Sequence, residues 1–166
     1  RARDDGLPSG SSTSRPVPNT QVMSPPTGEV GYMTVNDHSS TSEQALVDAV
    51  NQLNAHDGGM GIDDLVLDLR YNGGGWLDIA AELAYMIAGP GPIAGAIFED
   101  LVFNDKHPVT DPVTGRPLAP VPFYTTTQGF SGPANQALPV LGLPRVYVLT
   151  GGGTCSASEA IINGLR

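Results

Sequence analysis

Short blocks of apolar residues, separated by polar or glycine-rich turns, alternate along this chain between strand-like runs and helical spacing. Val30-Gly-Tyr-Met-Thr-Val-Asn36 reads as a first strand. Thr41-Ser-Glu-Gln44 has the capping-box pattern and opens a helix with Leu46, Ala49, Val50 and Leu53 on one face, which Gly58-Gly-Met-Gly61 ends. Asp64-Leu-Val-Leu-Asp-Leu-Arg70 is nearly continuous in apolar character, the signature of a strand buried on both faces. After Tyr71-Asn-Gly-Gly-Gly75 the helical spacing resumes over 76–88, with Leu77, Ala80, Ala81, Ala84 and Ile87 on one face. Ile93–Phe103 is predicted to be extended. Lys106–Pro144 is irregular, with a turn at Asp111–Pro117 and a short strand at Phe123–Thr127, and suits a lid or an inserted edge. Finally, Arg145–Thr150 reads as a buried strand, and Gly151-Gly-Gly-Thr-Cys-Ser-Ala-Ser-Glu159 turns from it into a last helix. The order of elements predicts a layered α/β fold over 30–166. Residues 1–29, rich in Ser, Pro, Gly and Thr, read as a flexible linker or arm.

Two junctions in this pattern carry candidate chemistry. Ser156 falls at or beside a helix N-terminus, where free N–H groups and the helix dipole favour developing negative charge. An acyl-transfer enzyme places its nucleophile and part of its oxyanion hole in such a position. A plainer duty is also open: Ser156 or Ser158 caps the helix, with Glu159 in the first turn. The sequence is not the Gly-x-Ser-x-Gly elbow, since Thr154 and Ser158 stand where that motif has glycine. At the second junction, three glycines between a buried strand and a helix let backbone amides point toward a ligand. In a parallel sheet both junctions open on the same edge.

Together, Leu-Asp-Leu-Arg-Tyr-Asn-Gly-Gly-Gly (67–75) and Gly-Thr-Cys-Ser-Ala-Ser-Glu (153–159) resemble the C-terminal processing, or tail-specific, serine peptidase family. The resemblance runs from about Val30 to the end of the chain. It implies a crotonase-like or Clp-protease-like core of ββα units with a long irregular insertion. It also implies a serine endopeptidase that cuts protein substrates near their C-termini by Ser/Lys acyl transfer. Ser156 takes the place of the nucleophile and Ala157 that of one oxyanion amide. Gly74 is the match for the other amide, with Gly75 the one-residue alternative. The family's base is a lysine on a strand beyond the serine, and no residue here corresponds to it. Members often carry an upstream PDZ domain and mostly work in the periplasm or cell envelope. Gly73 stands where many members have proline and Cys155 where alanine is usual. Two other functions share the fold: a non-catalytic ligand-binding module, and a crotonase-like acyl-CoA enzyme, which would need a basic patch for the CoA phosphates.

The remaining candidates for a base are few. Lys106, the only lysine, lies in the polar loop Phe103-Asn-Asp-Lys-His-Pro108 and reads as solvated. His56 is expected at a helix C-terminus, where it complements the dipole, and His107 in the long loop. None stands in a Ser-His-Asp arrangement, so each reads as structural or exposed, and His38, just after the first strand, is the one kept as an alternative base.

Charge and composition narrow the partners. Seventeen acidic against eight basic residues among 166 give a net charge of −9, spread without blocks, which argues against nucleic acid and anionic membrane surfaces. No apolar run is long enough to span a bilayer. The partner expected is a protein or peptide substrate, with no cofactor and no metal-ligand spacing. A single cysteine provides no disulfide framework. The chain begins Arg-Ala-Arg-Asp-Asp rather than with Met, so a piece of a longer protein is expected, with any targeting segment out of view.

Overall fold

The computed structural model describes residues 15–166. In chain order they form β1 (Asn19–Met23), β2 (Val30–Thr34), α1 (Ser42–Asn54), a 3-10 turn at His56–Gly59 and β3 (Asp64–Asp68). Then come α2 (Leu77–Ala88), β4 (Ile97–Glu99), β5 (Val121–Pro122), β6 (Val146–Leu149) and α3 (Ala157–Gly164).

One sheet has the order β1-β2-β3-β6. β1 is antiparallel to β2, while β2, β3 and β6 are parallel, with Val30 opposite Asp64 and Asp68 opposite Leu149. Parallel strands end on the same edge, so the turns that follow β3 and β6 open side by side. β4 and β5 form a separate ribbon, locked by an edge-to-face contact of Phe98 on Phe123 with ring centroids 5.4 Å apart.

The core is one cluster built from Met33, Val35, Leu65, Leu67 and Leu69 of the strands and their extensions with α1 and α2. In α1 the buried stripe is Leu46, Ala49, Val50 and Leu53, as the spacing predicts. In α2 the burial goes almost all round, from Ile79 to Ala84 and again at Met86 and Ile87. A helix this apolar needs partners on several sides. It gets them from α3 and from the 141–143 segment, whose Leu141 and Leu143 N–H groups donate to the Met86 and Ile87 carbonyls at 2.7 and 3.0 Å. Truncating a fully buried member such as Leu67 to Ala costs about 2–5 kcal/mol.

Several expectations change. Asn19–Met23, inside the stretch read as a linker, is a strand, because its backbone pairs along the free edge of β2. Residues 1–14 of that stretch lie outside the described residues. β3 is covered fully on one face only, since Val66 is half-buried and Asp68 is shielded by Arg70 and Tyr32 rather than by apolar side chains. The Thr41–Gln44 capping box does not form. Asp37 caps the local turn instead, accepting from Ser39 N–H at 2.9 Å and from Ser42 Oγ at 2.8 Å, and Gln44 turns to Asp48. The Ile93–Phe103 run keeps only Ile97–Glu99 as strand, and strand pairing near Phe123 moves to Val121–Pro122. His56 sits in the 3-10 turn and meets Glu29 at 2.9 Å, not the end of α1.

Candidate active site

The turn after β6 is fastened to the end of β3 before it reaches the serine. Thr154 Oγ1 donates to the Leu69 carbonyl at 2.7 Å and accepts the Gly151 N–H at 3.0 Å. The Cys155 thiol donates to the Gly73 carbonyl at 3.0 Å. Ser156 then stands at the N-cap of α3 with φ 54° and ψ −125°. A non-glycine residue at positive φ costs on the order of 1–3 kcal/mol and persists only where its surroundings impose it. Here Glu159 Oε2 accepts the Ser156 N–H at 2.9 Å, and Ala157 and Ser158 behind it are fully buried. The sharp strand-to-helix turn leaves Ser156 exposed, which is what a nucleophile elbow achieves with glycines this sequence lacks.

The capping duty is partly real, since Ser156 and Glu159 form a capping box. The Glu159 N–H also donates to the Ser156 backbone carbonyl at 2.8 Å, so this N–H keeps a partner without Oγ.

Opposite the serine lies the glycine turn, organised by Asn72. This fully buried amide donates from Nδ2 to the Val35 carbonyl at 3.1 Å, accepts the Gly74 N–H on Oδ1 at 2.9 Å, and takes Ser158 Oγ on its own carbonyl at 3.2 Å. The side chain thus ties the end of β2 to the glycine turn after β3, and the backbone carbonyl of the same residue holds the start of α3. Asn72 was missed as a site residue, although an Asn two residues before a glycine is the sequence signal for such an Asx turn.

Gly74 is pressed against the serine. A Cβ there would lie 2.7 Å from Ser156 Cβ, 3.0 Å from the Cys155 carbonyl oxygen and 3.1 Å from Ala157 N, at φ 110°. Its N–H, expected as an oxyanion donor, is occupied by Asn72 Oδ1. Gly75 differs. His38 N–H donates to the Gly74 carbonyl at 3.0 Å and Trp76 N–H to the His38 carbonyl at 2.8 Å, a parallel bridge. The N–H of Gly75 itself takes no part in the bridge. It has no hydrogen-bond partner among the described residues, and neither does the Ala157 N–H in the first turn of α3.

A cleft of about 490 Å³ opens on Ser156. Leu77, Phe98, Leu101 and Ala160 give it apolar walls, and Glu99, Glu159 and Asn163 supply polar groups. Among the described residues no lysine, histidine or carboxylate hydrogen-bonds the Ser156 hydroxyl. Lys106 is exposed in its loop, as expected. His38 is fully buried and both ring nitrogens lack hydrogen-bond partners. Burial pushes its pKa down to about 4, so it is neutral at physiological pH. Its service to the site is the backbone bridge that holds the glycine turn. No group of three or more potential metal ligands occurs among the described residues.

Comparison with known proteins gives a consistent result. The profile of peptidase family S41 matches residues 29–166. A carboxyl-terminal-processing protease of Picosynechococcus sp. is 31% identical over 90 residues, which are 54% of this chain and 21% of the relative. A putative S41 protease from Bacteroides fragilis NCTC 9343 superposes with a TM-score of 0.67 at 28% identity, covering 91% of this chain and 36% of that one. A photosystem II D1 C-terminal processing protease shares the fold, with a TM-score of 0.50 at 20% identity over 91% of this chain and 33% of its own. This chain therefore spans about a fifth of the curated relative and about a third of each solved structure.

Proposed function

The chain belongs to peptidase family S41, and from that premise we propose that it is the nucleophile-bearing part of a serine endopeptidase that cuts protein substrates near their C-termini. The observation that carries the reading is Ser156, held at φ 54° on a sharp turn against Gly74, and we assign the two amides without partners among the described residues, Ala157 N–H and Gly75 N–H, to its oxyanion hole. In this mechanism Ser156 Oγ attacks the scissile carbonyl carbon as its proton passes to a base. The carbonyl oxygen becomes an oxyanion, held by the two amides, and the amine leaves with the transferred proton. Water then hydrolyses the acyl-enzyme by the same route. Gly74 serves by having no side chain, which lets the turn close on the serine.

The base is proposed to be a lysine from a segment beyond Arg166, because no candidate among the described residues reaches the hydroxyl. The core is proposed to be of the crotonase-like, Clp-protease-like type, and the setting to be the periplasm or cell envelope, as in the family it resembles. A fluorophosphonate probe and unstructured peptides test the reading on this chain and on a form extended past Arg166. The extended form is expected to be labelled at Ser156 and to cleave, with both signals lost in Ser156→Ala, while the 166-residue chain cleaves poorly. An extended form that binds peptide but neither labels nor cleaves would replace the peptidase by a ligand-binding module.

A further inference from the structure

Two carboxyl groups that the chemistry above does not use meet between α1 and α2. Glu43 is 1% exposed and Glu82 fully buried. Glu43 Oε1 accepts the Gln128 and Gly129 N–H groups at 2.7 and 2.8 Å, and its Oε2 accepts the Ser131 N–H at 2.9 Å. Glu82 shares the Gln128 N–H at 2.9 Å, while its second oxygen, Oε2, is buried with no donor to accept from. Gln44 N–H adds a bond to Ser131 Oγ at 2.9 Å. The 128–131 segment is therefore attached to the helices mainly through these carboxyls.

That segment carries Phe130, whose ring centroid lies 5.3 Å from that of Trp76. Trp76 follows Gly75 directly, and its N–H is part of the bridge to His38. A path of direct contacts thus runs from the carboxyl pair to the glycine turn. We propose that Glu43 and Glu82 are positioning residues that act as one acid–carboxylate pair sharing a proton, and that they hold Gln128–Ser131, and with it Phe130 and Trp76, against the glycine turn.

The chemistry of the pair requires the shared proton. Two ionised carboxylates cannot sit together in a buried site, and an orphaned buried oxygen is costly unless it becomes an O–H donor. Burial opposes the charge on Glu43, but three amide bonds outweigh it and keep this carboxyl below its usual range. Burial, reinforced by the Glu43 charge, pushes Glu82 up to about 8 against a single bond from Gln128. Glu82 is thus the protonated partner, and its O–H donates to Glu43. The other titratable groups facing Glu82 are the Asp78 carboxylate, one turn earlier on α2, and the Tyr124 phenol. Losing the proton leaves two anions facing each other and Asp78, and the exposed 128–131 backbone is the part free to move.

Trp76 is the only tryptophan, so its emission reports the contact directly. Titrating this chain from pH 6 to 9.5 should give one transition centred near pH 8, with emission moving to the red as Phe130 withdraws. Glu82→Gln keeps a hydrogen-bond donor that cannot ionise, and should hold the low-pH spectrum throughout. Should that variant fail to fold, carbon-13 carboxyl titration of the wild-type chain answers instead: one glutamate titrating near pH 8 supports the pair, and none above pH 6 overturns it. A flat wild-type emission profile, or an unchanged transition in Glu82→Gln, also overturns it. The link to catalysis rests on the peptidase reading, but this test does not, since emission reports the segment and not the chemistry.

Discussion

Three consecutive glycines face three different surroundings, so adding a methyl group at each in turn should have sharply different effects. At Gly73 the new Cβ would find its nearest atom, the Gly153 carbonyl oxygen, at 3.9 Å, an ordinary contact. Gly73→Ala should then leave stability within about 0.5 kcal/mol, or raise it by a similar amount through the stiffer unfolded chain. At Gly74, φ 110° strains any L-residue, and the Cβ would sit 2.7 Å from Ser156 Cβ. The strain alone is about 1–3 kcal/mol, and pushing two carbons inside their preferred 3.5–4.0 Å adds to it, so Gly74→Ala should cost about 3–5 kcal/mol. Gly75→Ala, at φ 137° with the His38 carbonyl oxygen 2.5 Å away, should be as severe, because backbone cannot swing aside as a side chain can. Urea denaturation gives the stabilities from midpoints at constant slope. The fluorophosphonate rate at Ser156 gives the effect on the site and should fall at 74 and 75 while holding at 73. If all three variants unfold within about 0.5 kcal/mol of one another, the close approach of the glycine turn to the serine is wrong.

Ser156→Gly should abolish labelling yet raise stability by roughly 1 kcal/mol, because glycine relieves the positive φ; a loss of stability would mean the hydroxyl holds the turn. Asn72→Ala removes the amide that joins the end of β2 to the glycine turn and should cost about 2–4 kcal/mol in urea titrations, with Ser156 labelling falling in parallel. The Arg70 guanidinium, assisted by Tyr32, holds Asp68 down to about 2 against burial, below its usual 3.8. The stability it contributes is present above pH 3.8 and is lost as pH falls toward 2. Tyr32→Phe should therefore lower the melting temperature at neutral pH, where Asp68 is ionised, and shrink its fall on the acid side.

Much of the fold was legible because its elements carry strong local signals. The α1 stripe of Leu46, Ala49, Val50 and Leu53 is periodic, and β3 and α2 are punctuated by Asn72–Gly75. Serine and glycine turn could be paired from sequence because parallel strands force their ends to one edge. What failed depended on tertiary context. Asn19–Met23 has no strand-like composition and becomes a strand only because β2 offers an unpaired edge. Thr41–Gln44 loses its capping box because Asp37 reaches the turn first and Glu43 is drawn into the 128–131 loop. Gly74 and Gly75 differ by one residue in sequence, but Asn72 Oδ1 takes the Gly74 N–H and no described residue takes that of Gly75, a difference that only the folded turn reveals.

The pairing of Asp68 with Leu149 also has a consequence in time. These partners lie roughly eighty residues apart, and contacts that distant form late because loop closure must be met before they return any stability. Both the strain on Ser156 and its neighbouring amides depend on that pairing, so a newly synthesised chain carries an inert serine until β6 docks. Under the proposed function, a protein that cleaves unfolded polypeptides would thereby acquire its reactive geometry only once it had ceased to be one itself.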